Sequence, residues 1–197
     1  TVDGTPQHAD WIDLYKNTDM VLAYNDWSLE LLRKEGGGLI NLHKSAPPSA
    51  DSEHFKFVAN KREHKSKLGI DPDTFIIGMV ARNQRRKLYP DLADAFKLLM
   101  SKLSPEKREK RFLYWHTAHP DLGWDIPKYI KNNGLSSKIL FSYVCQNCKF
   151  FAPSFYKDVR TVCPRCKTGN MVFPFAQSGI TREELGVVMG LFDVYVQ

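Results

Sequence analysis

The sequence predicts an α/β protein built on a parallel sheet and interrupted by a cysteine-bearing insertion. Three observations carry that expectation. Apolar strand-like runs alternate with amphipathic helical segments from "FIIGMV" to "KILFSYV", the rhythm of strand, crossover helix and parallel strand. All four cysteines fall within the one break in that rhythm. A chain of 197 residues that is 43% apolar and 12% aromatic can also supply a substantial core.

Taken in order, residues 20–24 read as a short strand, followed by a helix that Asn25 or Asp26 opens as cap and Gly36 closes. The stretch "INLHKSAPPSADSEHF" has no periodicity and reads as a linker, with a boundary near residues 46–51. A basic segment follows, in which "KREHKSK" reads as a solvated helix face. The strand "FIIGMV" then leads to the helix "PDLADAFKLLMSKL", whose Leu92, Ala95, Phe96, Leu99 and Leu103 form one stripe for the sheet. Next come strand "RFLYWHT", helix "IPKYIKNNGL" and strand "KILFSYV". In "TREELGVVMGLF", Thr181 and Glu184 have the spacing of a capping box, with Leu185, Val188, Met189 and Phe192 as the buried face before the strand "DVYV". Residues 1–45, 46–66 and 67–197 are thus expected to be a first domain, a linker and a second domain, with the cysteine insertion at 143–174.

A net charge of +6 favours anionic partners: nucleotides, polyanionic glycans, nucleic acid or membrane surfaces. No apolar run approaches the roughly 18–20 residues of a membrane helix, and "TVDGTPQHADW" lacks the blocks of a signal peptide, so the expectation is a soluble, cytoplasmic protein without a transmembrane segment. The chain starts at Thr1 without Met and stops at "LFDVYVQ" as a strand emerges, which reads as a fragment.

Cys145, Cys148, Cys163 and Cys166 form "CQNC", fourteen residues, then "CPRC". Two tight turns of this kind each present two thiolates to one tetrahedral ion, zinc first and iron as the alternative. Four thiolates leave no open position for water, so the site is structural, and the metal supplies folding energy that so short a segment cannot obtain from its own core. Lys149, Lys157, Arg160, Arg165 and Lys167, with Phe150, Phe151, Phe155 and Tyr156, offer a basic aromatic face for nucleic acid. The favoured reading is that the aromatics dock the ribbon on its host; a protein partner is a further use.

The loop "ARNQRRK" places four cations in six residues, Arg82 to Lys87, after an apolar strand and before a helix. That is where open α/β sheets bind anions. The sequence has neither a Walker loop nor a dinucleotide fingerprint, so side-chain cations rather than a glycine cradle would hold a diphosphate. Arg82 and Lys87 are placed for that; Arg85 and Arg86 read as neighbours. His116 and His119 in "WHTAHPD" lie past the second strand on the ligand side, where either could touch a bound ligand, although the favoured reading is a capping or supporting histidine; His8 in "GTPQH" could likewise lie near a ligand cleft, a reading not adopted.

"FIIGMVARNQRRKLYPDLADAF" resembles the strand, "GR" turn, lysine and helix of the retaining GT-B glycosyltransferases of family four, with Ala81 in place of the usual glycine. "DGTPQHADWIDLYKNTDMVLAYNDWSLELL", "LYWHTAHPDLGWDIPKYI", "KILFS" and "GITREELGVVMGLFDVYV" extend the similarity over nearly the whole chain except the cysteine insertion. The resemblance implies a Rossmann-like GT-B architecture: residues 1–45 ending the acceptor-side domain, and 67–197 a partial nucleotide-sugar-binding domain. It implies donor diphosphate binding by Arg82 and Lys87, a nucleotide-sugar donor, a glycan or other acceptor, and no catalytic divalent metal, because the cations neutralise the leaving diphosphate. In that family a strand like "DVYV" leads into a Glu-x7-Glu motif that binds the donor sugar, so a chain stopping at Gln197 is expected to be inactive alone. The competing expectation is a zinc-ribbon nucleic-acid-binding protein in which loop and ribbon form one electrostatic surface.

Overall fold

The computed structural model describes residues 8–157, 161–175 and 177–197; Arg160, one of the cations assigned to the ribbon face, lies outside them. The chain divides into two compact units, Thr1–Asp51 and Ser52–Gln197. Among the described residues no helix is long and apolar enough to cross a membrane.

The first unit runs α1 (Ala9–Lys16), β1 (Val21–Ala23), α2 (Asp26–Glu35) and β2 (Leu42–Ser45). The Asn25 side chain accepts from the Ser28 backbone N–H at 2.8 Å, relieving one of the unpaired donors at the start of α2. The left-handed step that ends the helix comes at Gly37 (φ 57), one residue after the expected Gly36, which is still right-handed. β1 and β2 pair in parallel over a core of Ile12, Leu32 and Ile40. β2 corrects the linker reading of "INLHKS": a strand of four residues is too short for alternation to stand out.

The second unit contains α3 (Lys61–Lys67), β3 (Phe75–Val80), α4 (Tyr89–Ser101), α5 (Pro105–Glu109), β4 (Arg111–His116), α6 (Ile126–Asn132), β5 (Ile139–Cys145), β6 (Phe151–Phe155), β7 (Thr161–Val162), β8 (Asn170–Val172), α7 (Arg182–Gly190) and β9 (Val194–Tyr195). Its sheet runs β7-β8-β5-β4-β3-β9, with β6 also on β5. β3 pairs in parallel with β4 on one side and β9 on the other, so chain progression reverses direction at β3. Met79, Leu113, Trp115 and Phe141 meet Phe96 of α4 and Ile126 and Ile130 of α6; Ile76, Tyr114 and Leu140 meet Val188 of α7 with Leu191 and Phe192 beyond it. Strands covered on both faces explain the continuous apolar runs, and all seven residues of β5 are buried. The capping box of α7 forms as the spacing predicts, Glu184 N–H donating to Thr181 Oγ1 at 3.1 Å and Thr181 N–H to Glu184 Oε2 at 2.8 Å.

Two sequence expectations need correction. The buried stripe of α4 is Tyr89, Ala93 and Phe96, whereas Ala95 and Leu99 face solvent. The Tyr89 hydroxyl donates to Ala81 O at 2.7 Å and its ring meets Trp115 edge-on at 4.9 Å; burying that large ring turns the helix. Nor is "KREHKSK" wholly solvated: Lys65 is 3% exposed and donates to Asp193 Oδ2 and to Thr74 O, each at 2.7 Å. The same Asp193 oxygen accepts the Ile76 N–H at 2.8 Å, so α3, β3 and the entry to β9 share one part-buried ion pair.

Candidate functional site

The cysteine segment grows out of the sheet. Leu140 of β5 pairs with Tyr114 of β4 and with Phe155 of β6, hence on opposite edges; Val144 pairs with Phe151 of β6 and with Val172 of β8. β8 therefore takes over the β5 edge that β4 vacates at its carboxyl end. The ribbon aromatics are half-buried and pack against the two clusters, Phe155 lying 5.1 Å from Phe112 and Phe173 4.9 Å from Phe141.

The thiols of Cys145, Cys148, Cys163 and Cys166 all lie within 4.8 Å of one another, with Sγ–Sγ separations of 3.6 Å (Cys145–Cys166) and 3.7 Å (Cys148–Cys163). A tetrahedron with Zn–S bonds of about 2.3 Å has edges of about 3.8 Å, so the donor set fits such an ion. The two turns repeat one geometry: Lys149 N–H donates to Cys145 O at 3.1 Å and Lys167 N–H to Cys163 O at 3.0 Å. Hydrogen bonds from the Thr168 backbone and hydroxyl and from Gly169 N–H pull the Cys166 thiol down to about 5, favouring the thiolate a metal requires. Gly169 packs so close that a Cβ there would lie 2.3 Å from Cys145 Sγ, which reserves the position for glycine.

Each turn ends on a lysine in the left-handed region, Lys149 at φ 60 and Lys167 at φ 62. That conformation costs a residue with a Cβ about 1 kcal/mol relative to glycine. Lys149 recovers part of it through a bond to Ser178 Oγ at 3.1 Å, while Lys167 is exposed and its side chain has no partner among the described residues. Lys167→Gly is therefore expected to stabilise the protein by about 1 kcal/mol in denaturant unfolding; a loss of stability would show that Lys167 makes a contact that outweighs its strain.

At the carboxyl end of β3, the Arg82 guanidinium donates through Nε and Nη2 to the two oxygens of Asp121, at 2.9 and 3.0 Å. Arg82 holds the Asp121 carboxyl below the usual carboxylate range, and Nη1 has no partner among the described residues. Asn83 is fully buried and ties the loop to Trp124 twice, Nδ2 donating to Trp124 O at 2.8 Å and Oδ1 accepting Trp124 N–H at 2.9 Å. The approach is tight enough that a Cβ on Gly123 would sit 2.3 Å from Asn83 Oδ1. Arg85, expected to be a mere neighbour, stacks over the Trp124 ring at 5.2 Å. Lys87 ends the 3-10 turn Arg85–Lys87, half-buried, with no hydrogen-bond or ion-pair partner among the described residues.

Arg82, His119 and Asp121 line a cleft of ≈ 840 Å³ whose opposite wall is the ribbon's Gln146, Val172 and Phe173. An adjoining recess of ≈ 420 Å³ is lined by Arg82, Ala81, His116, Thr117, Phe175 and Leu185 among others. Lys87 lines neither, so the structure brings Arg82 and the two histidines together and leaves Lys87 beside them on the turn. His116 Nδ1 lies 2.8 Å from Ser142 Oγ, and burial pushes its imidazole pKa down to about 4. His119 Nδ1 is buried without a partner among the described residues, and burial lowers its pKa against the opposing charge of Asp125. His8, the third histidine considered, is exposed in the first unit at the start of α1. Sequence reasoning missed Asn83, Asp121, Ser142 and Gln146; no spacing rule ties Asp121 to a cation thirty-nine residues earlier.

These features define a mixed α/β protein with a parallel-rich sheet and a four-cysteine cluster able to hold a metal such as zinc. No protein-family model matches the chain, and no curated protein sequence matches it.

Proposed function

We propose that the chain is the donor-binding part of a retaining GT-B glycosyltransferase, which transfers a sugar from a nucleotide-sugar to a glycan or other acceptor. The observation that carries this reading is the position of Arg82: it leaves the carboxyl end of the strand at which chain progression reverses, where open α/β sheets bind nucleotides. Its bond to Asp121 fixes the guanidinium plane while leaving Nη1 without a partner among the described residues and so open to a phosphate oxygen, and Lys87 is a cation on the following turn that is likewise unpaired among those residues. Together they would neutralise the charge that grows on the nucleoside diphosphate as the glycosidic bond breaks. The ion in the cysteine cluster is proposed to be zinc with a structural role, its ribbon forming a wall of the donor cleft. The inward packing of Phe150, Phe151, Phe155 and Tyr156 favours this reading over nucleic-acid binding, which uses exposed aromatic faces for stacking.

Titration calorimetry with UDP, GDP and ADP and their sugars tests the proposal. One of these is expected to bind wild type, and Arg82→Ala combined with Lys87→Ala is expected to weaken it at least about tenfold. Equal affinity in the double variant would remove the clamp. No nucleotide binding alongside steeply salt-dependent RNA or DNA binding would transfer the surface to the nucleic-acid reading.

A further inference from the structure

We infer that His116 presents a neutral Nε2–H donor to an oxygen acceptor of the ligand bound beside Arg82, locked in that tautomer by a relay of two hydroxyls, Tyr114 and Ser142. The inference rests on the donor-site reading for the ligand and on the hydrogen-bond chain for the tautomer.

The two hydroxyls of the relay lie fully inside the protein, and His116 at its end is part-buried. Tyr114 and Ser142 are both 0% exposed, Tyr114 Oη is 2.9 Å from Ser142 Oγ, and Ser142 Oγ is 2.8 Å from His116 Nδ1. Three proton arrangements satisfy these distances, and one of them, in which Ser142 Oγ accepts from both Tyr114 and His116 Nδ1, leaves the serine's own proton with no acceptor among the described residues. In the first of the other two, Tyr114 donates to Ser142 and Ser142 donates to His116 Nδ1, so that Nδ1 is the acceptor and Nε2 carries the proton. In the second, Nδ1–H donates to Ser142 and Ser142 donates to Tyr114, which leaves the tyrosine's own proton with no acceptor among the described residues. A buried donor left unpaired is costly, whereas the first arrangement uses every hydroxyl proton, so it prevails.

The imidazole stays neutral as well. Around the recess, β4 contributes His116 itself, the loop after β3 contributes Arg82, and α7 contributes the apolar Leu185; Pro174 and Phe175 close the remaining side. The one charged group among these lining residues is Arg82, whose charge Asp121 compensates; no carboxylate lines the recess to support an imidazolium, and burial disfavours it. Nε2 has no partner among the described residues. A neutral N–H beside a guanidinium suits an acceptor oxygen, a phosphate oxygen or a sugar hydroxyl, and its donor character persists across the neutral and mildly acidic range.

The test is a long-range 15N–1H correlation spectrum of histidine-labelled protein, with His116 assigned by the signal absent from His116→Gln. The expected spectrum shows a protonated Nε2 and an unprotonated Nδ1, unchanged from pH 8 down to about 5 because the imidazole titrates near 4. In Tyr114→Phe the lock is lost and the two tautomers mix. Addition of UDP, GDP or ADP is expected to shift the His116 Nε2–H resonance, and His116→Ala to weaken the nucleotide that binds about tenfold. An Nδ1–H tautomer, or titration near the ordinary histidine value, overturns the inference outright. Nucleotide binding that leaves His116 Nε2 unmoved overturns it while the donor-site reading stands. If no nucleotide binds, the donor-site reading falls and takes the ligand with it.

Discussion

Replacing Cys163 by serine is expected to cost the protein on the order of 5 kcal/mol or more and to lower Tm by roughly 10–20 °C. Cys163 is fully buried and its Sγ lies 3.7 Å from that of Cys148, so a hydroxyl in its place removes one of the four thiolates available to an ion and buries a polar group among the other three. Structural zinc contributes about 10–16 kcal/mol of apparent binding energy in zinc-finger peptides, and the share lost here is bounded by what the sheet retains without it. The measurement is thermal unfolding with metal analysis: about one ion per chain in wild type, little or none in Cys163→Ser, and a parallel fall in Tm when wild type is treated with a chelator. A metal-free wild type, or a variant that melts with wild type, would refute the cluster as a structural centre.

The second large effect is expected far from any ligand. Lys65→Ala should destabilise the protein by about 3 kcal/mol, because it leaves the part-buried Asp193 carboxylate with Ile76 N–H but without its cation and removes the donor to Thr74 O. Lys65→Met fills the same volume and in combination with Asp193→Asn removes both charges, so that pair should recover much of the loss. Urea unfolding of Lys65→Ala and of the double variant reads the difference directly. If Lys65→Ala costs less than about 1 kcal/mol, the pair is not the fastening its burial indicates.

The strands and crossover helices of the second unit were legible because each announces itself locally. "FIIGMV" coincides with β3, and the Thr181–Glu184 spacing with the start of α7. The four cysteines were legible because metal-ligand spacing is local too. Lys65 was not: a charge run looks the same whether or not one of its members meets a carboxylate 128 residues later. The turn of α4 was missed because its pattern counted leucines, whereas the structure buries the aromatic Tyr89 at the first position of the helix. At the site, Arg82 followed from its place after a strand, but Asp121 and Ser142 owe their roles to strands brought together only by folding. β2, with four residues, offered too little pattern to be told from a linker.

Cys145 is at once the last residue of β5 and the first ligand of the cluster, and its neighbour Val144 is hydrogen-bonded on both edges by ribbon strands. Sheet and ribbon therefore have no seam. Most small metal modules can be cut out and grafted as cassettes, because their ligands belong to them alone. Here excision would open one edge of a buried strand along its length and both edges at its carboxyl end, and a graft would arrive without the strand that aims its first thiol.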